Sequence, residues 1–271
     1  MKRPEVAAVL SVYNRPPLVL RQTLTALVHS IRELDRLALV VLDDGSDDTH
    51  RQRYAPMRRE LESRIRVEWI ETSTLALRPR TYHIGGHNNP ALVTNLAIEA
   101  AIQMRPHRIL LLSSDVMLVG DALPMALAHP SDRIVVGRTF DFPSQTLFCS
   151  SERIWPMCWF VLADATAIWK TPFDETYLDG MAFEDNDFMG RLLLQTGRMA
   201  IDDRIVCLHQ SHAQTAYSDG WVCFQRSEEY TRSKWGGIPF RTRDTSLAFR
   251  IERTAWGAEL CEPAAPHLIR P

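Results

Sequence analysis

Three short clusters of acidic or imidazole side chains hold the residues best suited to chemistry in this chain. They occupy positions 113–115 (SSD), 180–188 (GMAFEDNDF) and 209–212 (HQSH). Each stands beside a predicted strand end, helix start or loop, where binding and catalytic side chains concentrate. Asp115 and a histidine offer ligands for a divalent cation that could hold a diphosphate, while a carboxylate of the second cluster stays free to accept a proton. This combination suits an enzyme better than a structural protein.

Each cluster also has a structural explanation, which must be weighed against the chemical one. Asp115 after an apolar strand is typical of a Ser/Asp turn, and acids such as Asp187 in the first turn of a helix are favoured by its dipole. The glycine and the aromatic flanks of 180–188 instead indicate a partly buried site, where the pKa of a carboxylate rises and the group can act as a base. A single histidine is usually a packed or surface residue, so His209 is assigned as a ligand only because Asp115 supplies a partner.

Alternating strands and helices must position these clusters. Apolar runs predict buried strands at 6–12, 37–42, 65–70 and 109–112. Apolar residues at helical spacing predict helices at 16–33, 48–61 and 91–104. This alternation predicts a mostly parallel sheet with helices on both faces. Because ligands of such sheets bind beyond the carboxyl ends of the strands, the loops at Asn14, Asp43 and Ser113 should share one cleft.

The second half of the chain has a less regular pattern. Strands are predicted at 133–136, 159–162 and 206–208, and a helix at 185–196 that ends at Gly197. From Trp221 onward the chain is polar, aromatic and basic, without a pattern that predicts its elements. We expect one compact domain at 1–220, with a nucleotide half at about 1–118 and an acceptor half at about 119–220, and a C-terminal extension at 221–271 packed on the same domain.

Size and composition limit the class of protein. The 271 residues suffice for one large α/β domain, and 45% hydrophobic with 24% charged residues is the balance of an ordinary globular protein. A net charge of −2 creates no global field toward nucleic acid or an anionic membrane. No apolar stretch of about 18 residues occurs, so no membrane span is expected. Five cysteines, an odd number without a C-x-x-C pair, favour a reduced, cytoplasmic setting.

The loop after the second predicted strand adds further candidates. In the sequence VVLDDGSDD, Asp43 and Asp44 could bind a nucleotide base or ribose, or could belong to a solvated turn that caps a helix. On sequence alone these two interpretations are evenly matched. Gly86 belongs to a Gly-Gly pair that would let the backbone approach a phosphate or sugar, whereas Asn95 has no distinguishing signal of its own. Basic residues after Trp221 indicate a solvated surface or, alternatively, a site for an anionic acceptor or diphosphate.

Six segments of the chain, taken together and in order, resemble the nucleotide-sugar-dependent glycosyltransferases of the GT-A fold, family 2 type. The segments are AVLSVYNR (8–15), VVLDDGSDD (40–48), IGGHNNPALVTNLAIEAA (84–101), ILLLSSD (109–115), GMAFEDNDFMGRL (180–192) and LHQSH (208–212). No single segment is specific, whereas six in the right order are, and the resemblance covers residues 6 to about 215. It implies an α/β, Rossmann-like single domain with an irregular C-terminal extension.

The resemblance implies roles for individual residues. The nucleotide of a sugar donor would be held mainly by the loop after the first strand and by the acids after the second. The donor-binding candidates are Tyr13, Asn14, Arg15, Asp43, Asp44, Gly86, Asn95, Ser113 and Ser114. Asp115 stands at the position of the family's direct metal ligand, and with His209, preferred to His212, it would bind Mn²⁺ or Mg²⁺. The pair Glu184 and Asp185 would carry the catalytic base, which is assigned to Asp185.

Two departures from the family pattern restrict what the resemblance implies. Ser113 stands where the D-x-D motif has its first Asp, so the sugar or ribose contact of that Asp is not implied here. The Q-x-x-R-W signature of processive membrane synthases is missing, as are their transmembrane helices. The resemblance thus implies a soluble, non-processive enzyme that moves one sugar and inverts its anomeric centre. UDP is preferred to GDP or dTDP by family frequency alone.

Two other functions and several acceptors stay open at this point. A sugar-phosphate nucleotidyltransferase has a related fold, but such enzymes carry a Gly-rich, Arg- and Lys-containing loop where this chain has YNRPP. A catalytically degenerate nucleotide-sugar-binding protein is motivated by Ser113. The acceptor could be a glycan, a lipid-linked sugar, a protein, a small metabolite or, less favoured, modified DNA.

Overall fold

The computed structural model of the chain describes residues 3–74, 90–142, 144–177, 183–210, 220–240 and 249–261. Gly86, Gly180 and His212 therefore lie outside the described residues. The strands are β1 (Val6–Val12), β2 (Leu37–Asp43), β3 (Arg66–Glu71), β4 (Arg108–Leu112), β5 (Val116–Leu118), β6 (Ile134–Phe142), β7 (Leu147–Cys149), β8 (Phe160–Asp164), β9 (Arg198–Gln210), β10 (Arg250–Thr254) and β11 (Gly257–Cys261). The α-helices are α1 (Pro17–His29), α2 (Asp48–Glu62), α3 (Pro90–Gln103), α4 (Ala122–Leu127), α5 (Ala165–Lys170), α6 (Glu184–Thr196) and α7 (Gly220–Trp235).

All of these strands belong to one sheet. Its main path runs β10-β11-β9-β6-β8-β4-β1-β2-β3. β1 lies between β2 and β4 and is parallel to both, and β2 is parallel to β3. β8 joins the two halves by pairing antiparallel with β4 and β6, and β6 runs parallel to β9. This architecture confirms the predicted α/β class, a central, mostly parallel sheet flanked by helices.

Different helices cover the two faces of the sheet. Successive strand residues point to opposite faces and therefore pack against different helices. Val9 and Val40 belong to a core cluster that contains residues of α3 and α6. Leu10 and Leu39 belong to a second cluster that contains residues of α1 and α2. Since β1 and β2 are buried on both faces, their sequences are continuous apolar runs. Burial of each such side chain contributes roughly 1.5–3 kcal/mol to the stability of the fold. The strands are thereby held in place, and so are the loops at their ends, where the site forms.

The predicted elements of the first half agree closely with the structure, and the differences lie in the second half. The strand predicted at 206–208 is part of the much longer β9, which ends at Gln210, and the strand predicted at 133–136 continues to Phe142. The C-terminal extension contains α7 and the hairpin β10–β11, which pairs with β9 through β11. Most of β10 is exposed, so its sequence lacks the apolar alternation that identifies a strand. Within the described part of the chain, no helix has the length and apolar character needed to cross a membrane.

The pairing of β6 with β9 contains a shift in register. Gly137 lies opposite Asp202, whereas the next residue, Arg138, lies opposite Val206. Residues 203–205 of β9 are therefore left without a counterpart in β6. Such a bulge changes the direction of the side chains that follow it.

The turn of the C-terminal hairpin depends on Gly257. Its φ is +148°, and a Cβ there would lie 2.2 Å from the carbonyl oxygen of Ile201 in β9. We expect Gly257→Ala to lower the free energy of unfolding, measured by urea denaturation, by roughly 3 kcal/mol. Gly120→Ala is the matched control, because Gly120 also has a positive φ, +56°, but an added Cβ would meet nothing within 4 Å. This control should lose about 1 kcal/mol; equal losses in the two variants would contradict the close approach to β9.

Candidate active site

The loop after β1 is tied to the loop after β2 by hydrogen bonds. The Asn14 N–H donates to Ser46 Oγ at 2.9 Å, and the Asn14 side-chain Oδ1 accepts from the Asp47 N–H at 2.8 Å. The Asp44 N–H donates to the Val12 carbonyl at 2.8 Å. Asn14 has a φ of +44°, a left-handed conformation that Asn adopts more readily than most residues. The ends of two neighbouring parallel strands thus form one connected wall.

The acids at the end of β2 are buried in this wall. Asp43 is 1% exposed and Asp44 is 5% exposed. Asp43 Oδ1 accepts from the Ser46 N–H at 2.8 Å, whereas its Oδ2 is buried without a hydrogen-bond partner among the described residues. Burial raises the pKa of Asp43, and burial with the negative charge of Asp44 raises the pKa of Tyr13. A buried oxygen without a partner is unusual, and this one offers an acceptor for an N–H or hydroxyl of a ligand.

Arg15 links this wall to the loop after β4. Its Nε donates to Ser114 Oγ at 3.1 Å, and its Nη1 donates to Asp115 Oδ2 at 2.8 Å. The Arg15 carbonyl accepts from the Tyr54 hydroxyl at 2.6 Å, which fixes the backbone from which the side chain extends. The structure therefore brings together the ends of β1, β2 and β4.

Asp115 lies at the centre of a hydrogen-bonded group. It is 3% exposed and accepts from Ser113 Oγ at 2.5 Å as well as from Arg15. His209 Nε2 lies 3.5 Å from Asp115 Oδ2, and His209 Nδ1 lies 3.0 Å from Asp141 Oδ1. Burial alone would raise the pKa of Asp115, but the hydrogen bond with His209 and the charge of Arg15 hold that pKa well below its ordinary value. Burial acts to lower the pKa of His209, and the two carboxylates reverse this effect and raise it.

The His209 ring is held in place from several directions. β9 pairs with β5 and β6, so that His209 lies opposite Val116 and Asp141. Trp159 stacks on the imidazole, with ring centroids 4.2 Å apart and an interplanar angle of 7°. Ser144 Oγ donates to Asp141 Oδ2 at 2.5 Å, so the carboxylate that meets Nδ1 is itself fixed. The anionic Asp141 keeps a proton on Nδ1, so that Nε2 becomes an acceptor nitrogen only when the ring gives up its second proton.

Sequence reasoning missed Asp141 and did not distinguish Trp159 from the other tryptophans. Asp141 is 68 positions from His209, and it lies beyond the strand predicted at 133–136. Only the register of β6 against β9 brings the two side chains together, and no local sequence pattern reports that register.

A second pair of carboxylates begins α6. Glu184 and Asp185 follow Phe183, which is buried and has a φ of +73°. Asp185 Oδ2 accepts from the Cys158 N–H at 3.2 Å, and Glu184 Oε2 is buried without a hydrogen-bond partner among the described residues. Burial raises the pKa of both acids, and the charge of Asp185 raises that of Glu184 further. The pair therefore binds protons more strongly than ordinary carboxyl groups do, which is the property a general base needs.

The backbone at Cys158 and Trp159 joins the two groups. The Trp159 carbonyl accepts from the Ser113 N–H at 3.2 Å, while the neighbouring Cys158 N–H donates to Asp185. A cleft of about 260 Å³ opens here, beyond the carboxyl ends of β1 and β4. The predicted site residues that line it are Arg15, Ser113, Glu184 and Asp185.

Other predicted residues lie away from this lining. Asn95, in α3, uses its side-chain amide to donate to the Phe173 carbonyl at 3.0 Å and to accept from the Phe173 N–H at 2.8 Å. Its role in donor binding stays a prediction, and its contacts here fix the backbone of a cleft residue. Asp187 is fully buried and paired with Arg191, as a structural role requires. Gly86 lies outside the described residues.

Asp115 and His209 suit a divalent cation. A carboxylate oxygen and an imidazole nitrogen lie 3.5 Å apart, and Asp141 engages the other ring nitrogen, as is usual for histidines that bind metals. These donors fit Mn²⁺ or Mg²⁺, with one imidazole favouring Mn²⁺. Within the described residues, no group of three or more His, Cys, Asp or Glu side chains could hold a metal. An ion at this place would therefore need further oxygens, such as those of a diphosphate.

The connected wall predicts a specific sensitivity at Asn14. Asn14→Ala should lower the free energy of unfolding by about 1–3 kcal/mol, because it removes the acceptor of the Asp47 N–H and places alanine at a positive φ. Asn14→Gly is the control: it removes the same hydrogen bond but tolerates the backbone conformation, so it should lose less. Urea denaturation of the purified variants measures both values. Wild-type stability in both variants would show that the link between the two loops contributes nothing.

The fold is similar to that of several solved structures. S. aureus TarS (residues 1–349) in complex with UDP-GlcNAc gives a TM-score of 0.62 at 14% sequence identity, over 84% of this chain and 66% of that one. Another structure of the same TarS fragment gives 0.59 at 15% identity, over 76% and 60%. The mannosyltransferase PcManGT from Pyrobaculum calidifontis, in complex with GDP-Man and Mn²⁺, gives 0.55 at 13% identity, over 83% and 62%.

These similarities lie in the fold rather than in the sequence. This chain spans between 60% and 66% of the length of those chains. No protein-family model matches the sequence, and no curated protein matches it. The chain therefore shares the GT-A-like fold of solved nucleotide-sugar glycosyltransferases.

Proposed function

We propose that this chain is a metal-dependent glycosyltransferase of the family 2 type. It moves one sugar from a nucleotide-sugar, by preference a UDP-sugar, to an acceptor hydroxyl and inverts the anomeric centre. One observation carries the proposal: a single cleft, lined by Arg15 and Ser113, adjoins the buried Asp115 and is also lined by Asp185. Arg15, Ser113 and Asp115 suit a metal-bound diphosphate, and Asp185 suits an acceptor hydroxyl that must lose its proton.

The wall formed by the loops after β1 and β2 is the proposed nucleotide site. Asp43 Oδ2 is the acceptor for a base N–H or a ribose hydroxyl, since its other oxygen is already engaged by Ser46. Tyr13 and Asp44 lie beside it and interact electrostatically. Structures of similar fold have been solved with UDP-GlcNAc or GDP-Man, which supports a nucleotide-sugar as the ligand.

Asp115 and His209 are the residues proposed to hold Mn²⁺ or Mg²⁺. The bound ion would neutralise charge on the departing nucleoside diphosphate. Arg15 presents its guanidinium beside the same carboxylate, where it can bind diphosphate oxygens in addition. Asp141 holds the His209 ring in the orientation that directs Nε2 toward Asp115.

Asp185 is proposed as the general base. Burial raises the pKa of both acids, and the charge of Asp185 raises that of Glu184 further, so we assign the proton of the pair to Glu184 and the role of base to Asp185. The Cys158 N–H holds the Asp185 carboxylate at the cleft. As the acceptor oxygen bonds to the anomeric carbon, its proton passes to Asp185 and the bond from that carbon to the diphosphate oxygen breaks.

The alternative, a sugar-phosphate nucleotidyltransferase, has less support. Its Gly-rich loop is replaced here by Tyr-Asn-Arg-Pro-Pro, whose Asn14 and Arg15 are engaged in joining the three strand ends. The acceptor stays open among the classes given above, as does the cytoplasmic setting. Three described basic side chains of the C-terminal part are paired with acids, which weakens the case for an anionic acceptor there. These pairs are Arg232 with Glu228, Lys234 with Asp174, and Arg250 with Glu252.

Asp185→Asn tests the base. The substitution keeps an acceptor for the Cys158 N–H but cannot take a proton, so kcat for transfer or for UDP-sugar hydrolysis should fall by roughly 10²–10⁴ while UDP affinity is unchanged. Glu184→Gln is the matched control and should cost less, because the proposed mechanism gives Glu184 no proton to accept. Product analysis by mass spectrometry gives the rates, and calorimetry gives the affinity. An unchanged rate in Asp185→Asn would remove Asp185 from this role.

Asp115→Asn tests the donor end. In a thermal-shift panel of nucleoside diphosphates and their sugars, UDP should raise the Tm of the wild type more with Mn²⁺ than without it. Asp115→Asn should lose the Mn²⁺-dependent increment, whereas Asp48→Asn, an exposed acid on α2, should keep it. Equal UDP affinity of the wild type with and without Mn²⁺ would contradict the metal site. Stabilisation by UTP and a sugar phosphate with release of pyrophosphate would favour the nucleotidyltransferase.

A further inference from the structure

We propose that the end of α7 is a clamp that positions the catalytic turn of α6. The clamp consists of Lys234 and Trp235, which hold Asp187 and thereby keep Asp185 at the cleft. This inference rests on the proposed function for the role of Asp185. It assigns a purpose to the C-terminal helix, which lies beyond the part of the chain that carries the family resemblance.

Asp187 is a fully buried carboxylate, two positions after Asp185 in the first turn of α6. Trp235 Nε1 donates to its Oδ1 at 2.7 Å, and Lys234 Nζ lies 2.8 Å from the same oxygen. Arg191, one turn further along α6, donates to Oδ2 at 2.8 Å. A carboxylate held by donors from two helices fixes the rotation of the turn that carries it, because moving it would leave a buried charge without partners.

Lys234 also reaches the segment that leads into α6. Its Nζ lies 2.7 Å from Asp174 Oδ2, and the Tyr230 hydroxyl donates to that oxygen at 2.8 Å. One ammonium group therefore connects carboxylates on both sides of the point where α6 begins. The turn with Asp185 lies between these two attachments along the chain.

Trp235 approaches the backbone of α6 directly. A Cβ added to Gly190 would lie 3.1 Å from the indole ring, closer than an ordinary van der Waals contact. Glycine inside a helix costs about 1 kcal/mol relative to alanine. Glycine at position 190 is explained by the indole, which occupies the space that a Cβ would need. The close contact between α6 and α7 therefore depends on Gly190 in one helix and Trp235 in the other.

α7 also covers the residue that precedes the acids. Phe183 has a φ of +73° and is buried, and its ring lies 5.1 Å from that of Phe224 in α7. A bulky residue keeps such a conformation only where its surroundings determine it. The packing of Phe224 on Phe183 is therefore a second contact through which α7 sets the direction of Glu184 and Asp185.

The clamp acts on one end of the cleft. Asp115, by contrast, is held by Arg15, Ser113 and His209, which belong to other elements. Loss of the clamp should therefore lower the rate of proton transfer and leave the binding of UDP with Mn²⁺ unchanged. A general loss of folding would affect both.

Lys234→Met and Trp235→Phe test the clamp; the second keeps an aromatic ring but removes the N–H donor and part of the indole that approaches Gly190. Each should lower kcat by about 10–100-fold, since a displacement of about 1 Å at a reacting group has effects of this size. Calorimetric affinity for UDP with Mn²⁺ should equal that of the wild type. Lys234→Arg should recover part of the rate. Arg226→Met, which removes a positive charge from an exposed position of the same helix, is the control and should change neither quantity.

Hydrogen–deuterium exchange makes the test independent of catalysis. In Lys234→Met and Trp235→Phe, amides of the peptide covering 183–192 should exchange faster, while those of 108–118 should exchange as in the wild type. Wild-type kcat and exchange in both variants would overturn the clamp, as would a parallel loss of donor affinity and rate. If the wild type transfers no sugar from any nucleotide-sugar, the proposed function fails, yet the exchange data still decide whether α7 positions this turn.

Discussion

The main chain at Cys158 and Trp159 is the contact on which the candidate site depends. The Trp159 carbonyl accepts a hydrogen bond from the Ser113 N–H, next to Asp115. The Cys158 N–H donates to Asp185 in the second acidic pair. The indole of the same segment stacks on His209. This arrangement follows from the antiparallel pairing of β8 with β4, in which Leu112 lies opposite Phe160. Ser113 and Asp185 are distant in sequence, and they line one cleft because both are hydrogen-bonded to the backbone that leads into β8.

Carboxyl groups in the cleft and beside it lie in two opposite electrostatic environments. Asp115 is buried among donors and cations, which hold its pKa low, whereas Glu184 and Asp185 are buried with fewer such partners, which raises their pKa values. A separation of this kind allows neighbouring acids to perform different tasks at the same pH. It does not require different residue types, only a different number of donors around each carboxylate. The proposed division between a metal ligand and a base rests on this difference.

The parts of the site that sequence analysis predicted are those determined by local patterns. β1, β2 and β4 are buried on both faces, so their apolar runs indicated both the strands and the loops that follow them. Asp115 and Asp185 were singled out because acids beside such segments are conspicuous and because both match the family pattern; their roles stay predictions. Asp141 could not be found, because its meeting with His209 depends on strand register.

The contacts of α7 were equally inaccessible to sequence analysis. Lys234 and Trp235 belong to a basic, aromatic segment whose pattern is equally typical of a solvated surface. Lys234 and Trp235 contact Asp187 and Gly190, which are more than forty positions away and are brought near only by tertiary packing. Asn95 was predicted as a donor-binding residue, whereas its amide is hydrogen-bonded to the backbone of Phe173, a partner that no helix pattern reveals.

The bulge at residues 203–205 decides which side chain Asp141 meets. With Gly137 opposite Asp202, continuous pairing would set Asp141 against Val206, and the imidazole would be three steps further along the sheet. Because strand side chains alternate between faces, an odd number of extra residues also reverses the side on which each later residue stands. The length of one short stretch of backbone thus selects the carboxylate that meets Nδ1 of the imidazole. A related chain could lose the pairing of the imidazole with the carboxylate through a single-residue deletion here, with both residues still present in its sequence.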